Sequence, residues 1–251
     1  MRLNFGLWLD SLPVVTASLA ILVPCFGDNE RLTAVLHDLR RVLADYAVTV
    51  YLVDDGSPRP VEWSRAWEGP GFRVRLFRHV VNLGQGAALE TARRAAVRDR
   101  ARLFLTVDAD GQHAADDALR LVQAVERGAD VALGNRSAGA SNTPVFRRAV
   151  LLLARVFELA LTGRLFGDAH NGLRAFSLSV AEALRIEHPR MAHGTGIMLA
   201  LCAMRPKLRI VELPVTISYS AATLAKGQRA SGAFTIVGDL LTHALFRPTA
   251  K

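Results

Sequence analysis

Between Arg102 and His113 the chain reads Arg102-Leu103-Phe104-Leu105-Thr106-Val107-Asp108-Ala109-Asp110-Gly111-Gln112-His113. A short apolar run ends abruptly in two carboxylates one residue apart, then a glycine and two more polar side chains. Alternate side chains of a strand share a face, so Asp108 and Asp110 can point the same way as the chain leaves the sheet. With the Gln112 amide oxygen they form an oxygen-rich corner suited to Mg2+ or Mn2+. Mg2+ is usually held by only one or two carboxylates and shares its other positions with substrate phosphates. That points to a nucleotide-diphosphate substrate. Asp and Gly also favour plain turns, so the pair gains meaning only from its surroundings.

On the N-terminal side, strands and helices alternate. Ala17 to Val23 reads as a buried strand ending at Pro24, and the turn that follows, Cys25 to Glu30, offers Asp28 or Asn29 as a helix cap. Leu32, Val35, Leu36, Leu39, Val42, Leu43 and Tyr46 then fall at helical spacing. Val48 to Val53 is a second strand and also ends in acid, Asp54-Asp55-Gly56-Ser57-Pro58. Arg73 to Phe77 reads as a third, and Asn82-Leu83-Gly84-Gln85-Gly86 opens an alanine-rich helix reaching about Asp99. After the fourth strand, Arg102–Val107, come a helix from about Asp116 to Arg127 and a strand over Asp130–Gly134. This alternation predicts a three-layer α/β fold with a mostly parallel sheet. Ligands of such sheets bind at the carboxyl ends of the strands. Three such ends here, Pro24–Glu30, Asp54–Asp55 and Asp108–Asp110, are polar or acidic and are expected to converge on one site.

Beyond residue 135 the texture changes, which divides the chain into a ligand-binding half, 1–135, and a second half, 136–251, of one continuous domain. Arg136 to Thr143 is small and polar. Pro144 to Phe166 is a strongly apolar helix with Arg147 and Arg148 at its start, and Gly167 to Arg174 is a polar turn. Leu208 to Tyr219 reads as strand around Pro214, Lys226 to Arg229 as basic loop, and Phe234 to Leu245 as a final amphipathic helix.

Bulk properties narrow the function classes. A chain of 251 residues, 51% hydrophobic and 22% charged, buries a full core. A net charge of +8 implies anionic partners: phosphates, nucleic acid or an acidic membrane surface. Cys25 and Cys202 stand far apart in apolar surroundings and read as reduced thiols of a cytoplasmic protein. The apolar stretch Leu12 to Val23 is a poor export signal, being interrupted by Pro13 and preceded by Arg2 as its one basic residue. No stretch reaches the ~18 uninterrupted apolar residues of a membrane span. The Gly84-Gln85-Gly86 loop lacks the third glycine of a dinucleotide fingerprint and follows the third strand, not the first. A nucleic-acid binder would use the positive charge, but interleaved aromatics and a binding module are missing. A sugar nucleotidyltransferase would carry a glycine-rich, lysine-containing loop after the first strand, and Pro24–Glu30 has no lysine.

The ordered set Val23-Pro24…Asn29-Glu30, Val53-Asp54-Asp55-Gly56-Ser57, Asn82-x-Gly84-x-Gly86 and Val107-Asp108-Ala109-Asp110-Gly111-Gln112-His113 resembles the family-2 glycosyltransferases of GT-A fold. Gly134-Asn135-Arg136, His170-Asn171-Gly172-Leu173-Arg174-Ala175-Phe176 and Val211-Glu212-Leu213-Pro214-Val215 extend the likeness over nearly all of residues 17–245. It lies on the dolichyl/polyprenyl-phosphate sugar synthase side. The resemblance implies metal-dependent, inverting transfer of a sugar from a nucleotide diphosphate sugar, with polyprenyl phosphate as acceptor. A sugar hydroxyl of a glycan or glycolipid is the alternative acceptor. It further implies that Pro24, Phe26, Glu30, Asp55, Gly86, Asp108 and Ala109 line the nucleotide pocket. Asp108, Asp110 and Gln112 would hold the Mg2+ or Mn2+ ion and, with Arg136, carry catalysis. Arg147, Arg174 and Lys226 would meet the acceptor.

Two departures from the family pattern stand out. The first loop is two residues longer than P-x-Y-N-E, which leaves Glu30 and Asp28 as alternatives for its acidic role. Relatives commonly place a glutamate where this chain has Gly196. A sugar hydroxyl needs a general base, whereas a phosphate monoester, with a second pKa of about 6, is already a nucleophilic dianion. The missing carboxylate therefore favours a lipid phosphate, with His193, Asp168 and His170 as substitute bases otherwise. The two apolar helices and the basic balance fit peripheral contact with the inner face of the cytoplasmic membrane, or else core packing or a homodimer interface.

Overall fold

The computed structural model describes residues 17–27, 31–136, 159, 163, 166–168, 171–187, 189, 193–204 and 207–218. Among the described residues the six expected strands and one further strand form a seven-stranded sheet of order β3-β2-β1-β4-β6-β5-β7. Its strands are β1 Ser18–Cys25, β2 Ala47–Asp54, β3 Phe72–Arg78, β4 Leu103–Thr106, β5 Val131–Asn135, β6 Arg174–Ser177 and β7 Ile210–Pro214. The α-helices with described bounds are α1 Leu32–Val42, α2 Gln85–Arg98, α3 Ala115–Glu126, α4 Leu178–Ala183 and α5 His193–Ala203.

The central strands are apolar without alternation because both faces are covered. Leu19, Ile21 and Val23 of β1 pack with Leu32, Leu36 and Leu39 of α1 and with Leu121, Val122 and Val125 of α3. Ala20 and Leu22 face the other way, onto Ala88, Ala92 and Ala96 of α2 and Ile197, Met198 and Leu201 of α5. That is the three-layer arrangement. The small alanine face of α2 lets the helix lie close on β1 and β2. Edge strand β3 alternates instead, with Phe72 and Val74 buried and Arg73 and Arg75 exposed. Basic side chains on an edge oppose pairing with another sheet.

Sheet pairing is parallel except around β6, which runs antiparallel to both β4 and β5. This strand is missing from the sequence reading, which has a polar turn up to Arg174 and nothing regular between it and Leu208. Four residues are too few to display a period, and Ser177 caps the next helix at once by accepting from the Val180 amide at 3.4 Å. Strand β7 is shorter than the expected Leu208–Tyr219 and stops at Pro214, which has no N–H for the ladder. Beyond it the Val215 amide donates to the Asn135 carbonyl of β5 at 3.2 Å, and an isolated bridge joins Ile217 to His113. Helix α1 ends at Val42 rather than near Tyr46, whose hydroxyl donates to Glu126 at 2.8 Å. The apolar helix Pro144–Phe166 apart from three residues, the Phe234–Leu245 helix, the Lys226 loop and Arg147 lie outside the described residues. Among the described residues no helix is long and apolar enough to cross a membrane.

Candidate active site

Strand β1 lies between β2 and β4, and the chain passes from β1 outward to β2 and β3 before returning to β4. Such a reversal leaves a crevice at the carboxyl ends of the flanking strands. Cys25 pairs with Asp54 and Leu22 with Thr106, so Phe26, Asp55 and Asp108 all leave the sheet at this edge. Phe26 is half exposed, and the Gly27 amide donates to the Ser57 hydroxyl at 2.9 Å, tying the first loop to the second. Glu30, Asp28 and Asn29 lie outside the described residues.

The two acids ending β2 are buried and occupied. Asp54 accepts from the Ser57 amide at 2.9 Å, the Val61 amide at 3.1 Å and Arg78 Nη1 at 2.9 Å. Burial opposes its ionisation, but the Ser57 hydroxyl and amide, the Val61 amide and the Arg78 charge outweigh it and hold its pKa below the usual carboxylate value. Asp55 accepts from the Leu83 amide at 3.0 Å and the Gly84 amide at 2.7 Å, and His79 Nδ1 lies 2.7 Å from it. The far ring nitrogen of His79 lies 2.9 Å from the Thr91 hydroxyl. Asp55 is thus the anchor of the β3–α2 loop.

Asp108 and Asp110 differ from that pair in being partly exposed. Gln85 Nε2 donates to Asp108 Oδ1 at 2.8 Å, and His113 Nε2 lies 3.3 Å from Oδ2. Burial again opposes ionisation of Asp108. The His113 hydrogen bond and charge, with the charges of Arg174 and His193, overcome it and lower its pKa. Asp110 accepts from the Gln112 backbone amide at 3.0 Å and side-chain amide at 2.6 Å. Ala109 between them is buried, as is Gly86, whose amide donates to the Pro189 carbonyl at 2.8 Å. Downstream of β7 the Ser218 amide donates to the Gln112 carbonyl at 3.0 Å, and buried Asp117 accepts the Thr216 amide at 2.7 Å. The acidic turn is therefore held from behind by that segment.

Among the described residues no three carboxylate, imidazole or thiolate side chains gather closely enough to cage an ion. Asp55 does not join the other two acids around a cation. The oxygen donors that remain, Asp108, Asp110 and Gln112, match an ion that keeps most of its shell for water and phosphate. They do not match a closed structural site. A cavity of about 270 Å3 lies between α1 and α3, lined by Arg31, Asp38, Gly111 and His113 but by neither Asp108 nor Asp110.

On the far side of β4, Arg136 gives Asp168 a two-pronged contact, Nε to Oδ2 at 2.7 Å and Nη2 to Oδ1 at 2.9 Å. The Arg136 amide and Asn171 Nδ2 reach the same carboxylate at 3.1 and 3.3 Å. Asp168 is thereby committed to a buried ion pair, a poor position for a base. Arg174 is buried on β6, and its charge acts on Asp108 from within the sheet. Sequence reading singles out neither Gln85 nor His79, nor the tie between His113 and Asp108. Gln85 meets a partner 23 residues away, and neither motif spacing nor hydrophobic period signals such a pair.

The family model described as "Glycosyl transferase family 2" matches residues 20–185. A UDP-N-acetylglucosamine–dolichyl-phosphate N-acetylglucosaminyltransferase of Methanococcus voltae is 25% identical over 88% of this chain and 94% of its own length. The polyprenol monophosphomannose synthase of Mycolicibacterium smegmatis is 26% identical over 90% of this chain and 84% of its own. A solved structure of glucosyl-3-phosphoglycerate synthase from Mycobacterium tuberculosis, with Mg2+ and UDP, matches with a TM-score of 0.67 at 14% identity. That match covers 93% of this chain and 81% of the other.

Proposed function

Because this chain belongs to glycosyl transferase family 2 and is a glycosyltransferase of the GT-A fold, we propose that it moves a sugar from a nucleoside diphosphate sugar to a polyprenyl phosphate, with inversion at the anomeric carbon. One observation carries the reading of the site. Of four acids at the ends of β2 and β4, two are buried in structural bonds, while Asp108 and Asp110 stand partly open at the crevice. Together with Gln112 they would hold a Mg2+ or Mn2+ ion, which when bound offsets charge on the departing diphosphate. Phe26, half exposed beyond β1, would stack on the base, and the loop anchored by Asp55 would wall the nucleotide end.

The acceptor half of the reading has separate support. Of the relatives, one is named as a dolichyl-phosphate N-acetylglucosaminyltransferase and another as a polyprenol monophosphomannose synthase. Asp168, a substitute base by sequence, is occupied by Arg136. A phosphate dianion attacks without a base, so the acceptor that needs none suits this chain better than a sugar hydroxyl. Arg136, Arg147, Arg174 and Lys226 are the cations proposed for that side, Arg136 within its pair with Asp168 and Arg174 from its buried place on β6, and contact with the membrane surface would bring the lipid to Arg147 and Lys226.

The test is transfer from labelled UDP- and GDP-sugars to a short polyprenyl phosphate in detergent, with Mn2+ or Mg2+. Wild type forms glycolipid, chelation stops it reversibly, and Asp110→Asn lowers turnover at least about 100-fold while the thermal midpoint stays put. Proton NMR of the product gives the anomeric configuration. Full turnover by Asp110→Asn ends the cation reading, and transfer to sugar hydroxyls but not to the lipid phosphate ends the acceptor reading.

A further inference from the structure

We infer that Gln85 and His113 are positioning residues that fix the Asp108 carboxylate from two sides for a divalent cation, an assignment that rests on the cation-dependent function proposed above. Gln85 is the first residue of α2 and its side chain is exposed, so packing does not account for its bond to Asp108. Its backbone is fixed on both sides. The Gly84 amide donates to Asp55 at 2.7 Å, and the Gly86 amide to the Pro189 carbonyl at 2.8 Å. A side chain launched from so fixed a point can aim another.

His113 presents the opposite environment and the same target. Its side chain is 6% exposed, and among the described residues its Nδ1 is buried with no hydrogen-bond partner. A buried polar nitrogen left unpaired costs stability. A phenyl ring would fill the space without that cost, so packing alone does not explain an imidazole. What the imidazole adds is Nε2, 3.3 Å from Asp108 Oδ2. Its backbone is bridged to Ile217, so the ring is held as firmly as Gln85. One donor on each oxygen fixes the rotation of the carboxylate and leaves one further lone pair on each for a cation. Partners that orient metal-binding carboxylates typically matter 10- to 100-fold in metal affinity.

The experiment titrates Mn2+ into the full chain with saturating UDP or GDP, following free Mn2+ by electron paramagnetic resonance alongside thermal unfolding. Gln85→Leu and His113→Phe each raise the Mn2+ dissociation constant about tenfold. Gln85→Leu leaves the thermal midpoint in place, and His113→Phe leaves it unchanged or raises it. His113→Gln, which keeps an N–H donor, recovers most of the affinity. A residue of packing alone would give the reverse pattern, a lower midpoint with intact affinity. Wild-type affinity in Gln85→Leu and His113→Phe overturns the brace, as does loss of affinity in His113→Phe that merely follows a falling midpoint. If wild type itself takes up no Mn2+, the cation reading is what has failed, and the brace falls with it.

Discussion

At Gly172 a β-carbon would stand 2.1 Å from Oδ2 of Asp108, far inside contact distance. The backbone is the harder side to move, and the carboxylate can move only by breaking its own bonds. The Gly172 carbonyl accepts the Thr106 hydroxyl at 2.6 Å, and Asp108 is gripped by Gln85 and His113. Gly172→Ala therefore turns the carboxylate off its bearing rather than unfolding the sheet. Misplacing a reacting group by about 1 Å can cost 100-fold, so turnover is expected to fall between about tenfold and 100-fold. The accompanying loss of stability should stay within about 1–3 kcal/mol, the usual range for overpacking. Steady-state rates beside a urea titration measure both, and unchanged rates would mean that Asp108 has room the contacts deny. At this scale the sequence is a partial guide. The D-x-D spacing picks out Asp108 and Asp110, since strand geometry converts spacing directly into a shared edge. The same reasoning brings Asp55 to that edge without showing that it is used up there, because a carboxylate bound to backbone amides 28 and 29 residues away reads the same as a free one.

The β3–α2 loop belongs to the next scale. It is folded over Gly56, whose φ is +70° and whose β-carbon would meet the Val81 carbonyl carbon at 2.5 Å and the Asn82 nitrogen at 2.7 Å. Those are backbone atoms, so no rotamer change relieves the contact. Gly56→Ala combines a left-handed backbone penalty with overpacking, together about 2–5 kcal/mol, and should detach Leu83 and Gly84 from Asp55. Denaturant unfolding reads the first effect, and faster amide hydrogen exchange at Leu83 and Gly84 the second. Protection equal to wild type would show that the loop does not depend on this approach. Elements with a clear period were legible: β1, β2, β3, α2 and α3 lie within a few residues of where hydrophobic spacing puts them. Strand β6 was not, because its place is fixed by partners. Its ladders to β4 and β5 on either side make a strand of four residues with no pattern of its own.

Across the whole molecule, stability should fall at both ends of the pH scale, for reasons that can be assigned. On the acid side Asp54 has a folded pKa below its unfolded value. Its contribution is complete above the unfolded pKa, near 3.9, and is lost as pH falls through the folded one. The alkaline side has the opposite sign. Burial, then hydrogen bonding to Glu126, pushes the Tyr46 hydroxyl up to about 12. Burial and Asp99 raise Tyr51 as well. An unfolded tyrosine ionises near pH 10, so these two support the fold fully below that value and progressively less above it, Tyr46 until about 12. Urea unfolding from pH 2.5 to 11.5 should give a plateau between about pH 5 and 9. Asp54→Asn should lower the plateau by about 1–3 kcal/mol, since Arg78 and two amides lose a charged acceptor. It should also flatten the acid limb while leaving the alkaline limb intact. Tyr46→Phe and Tyr51→Phe should do the converse, and absorbance near 295 nm should show both hydroxyls still protonated in the folded protein at pH 11. An acid limb of undiminished slope in Asp54→Asn would place the responsible carboxylate elsewhere. Tyrosinate absorbance rising to completion around pH 10, ahead of unfolding, would mean that Glu126 and Asp99 do not hold those hydroxyls.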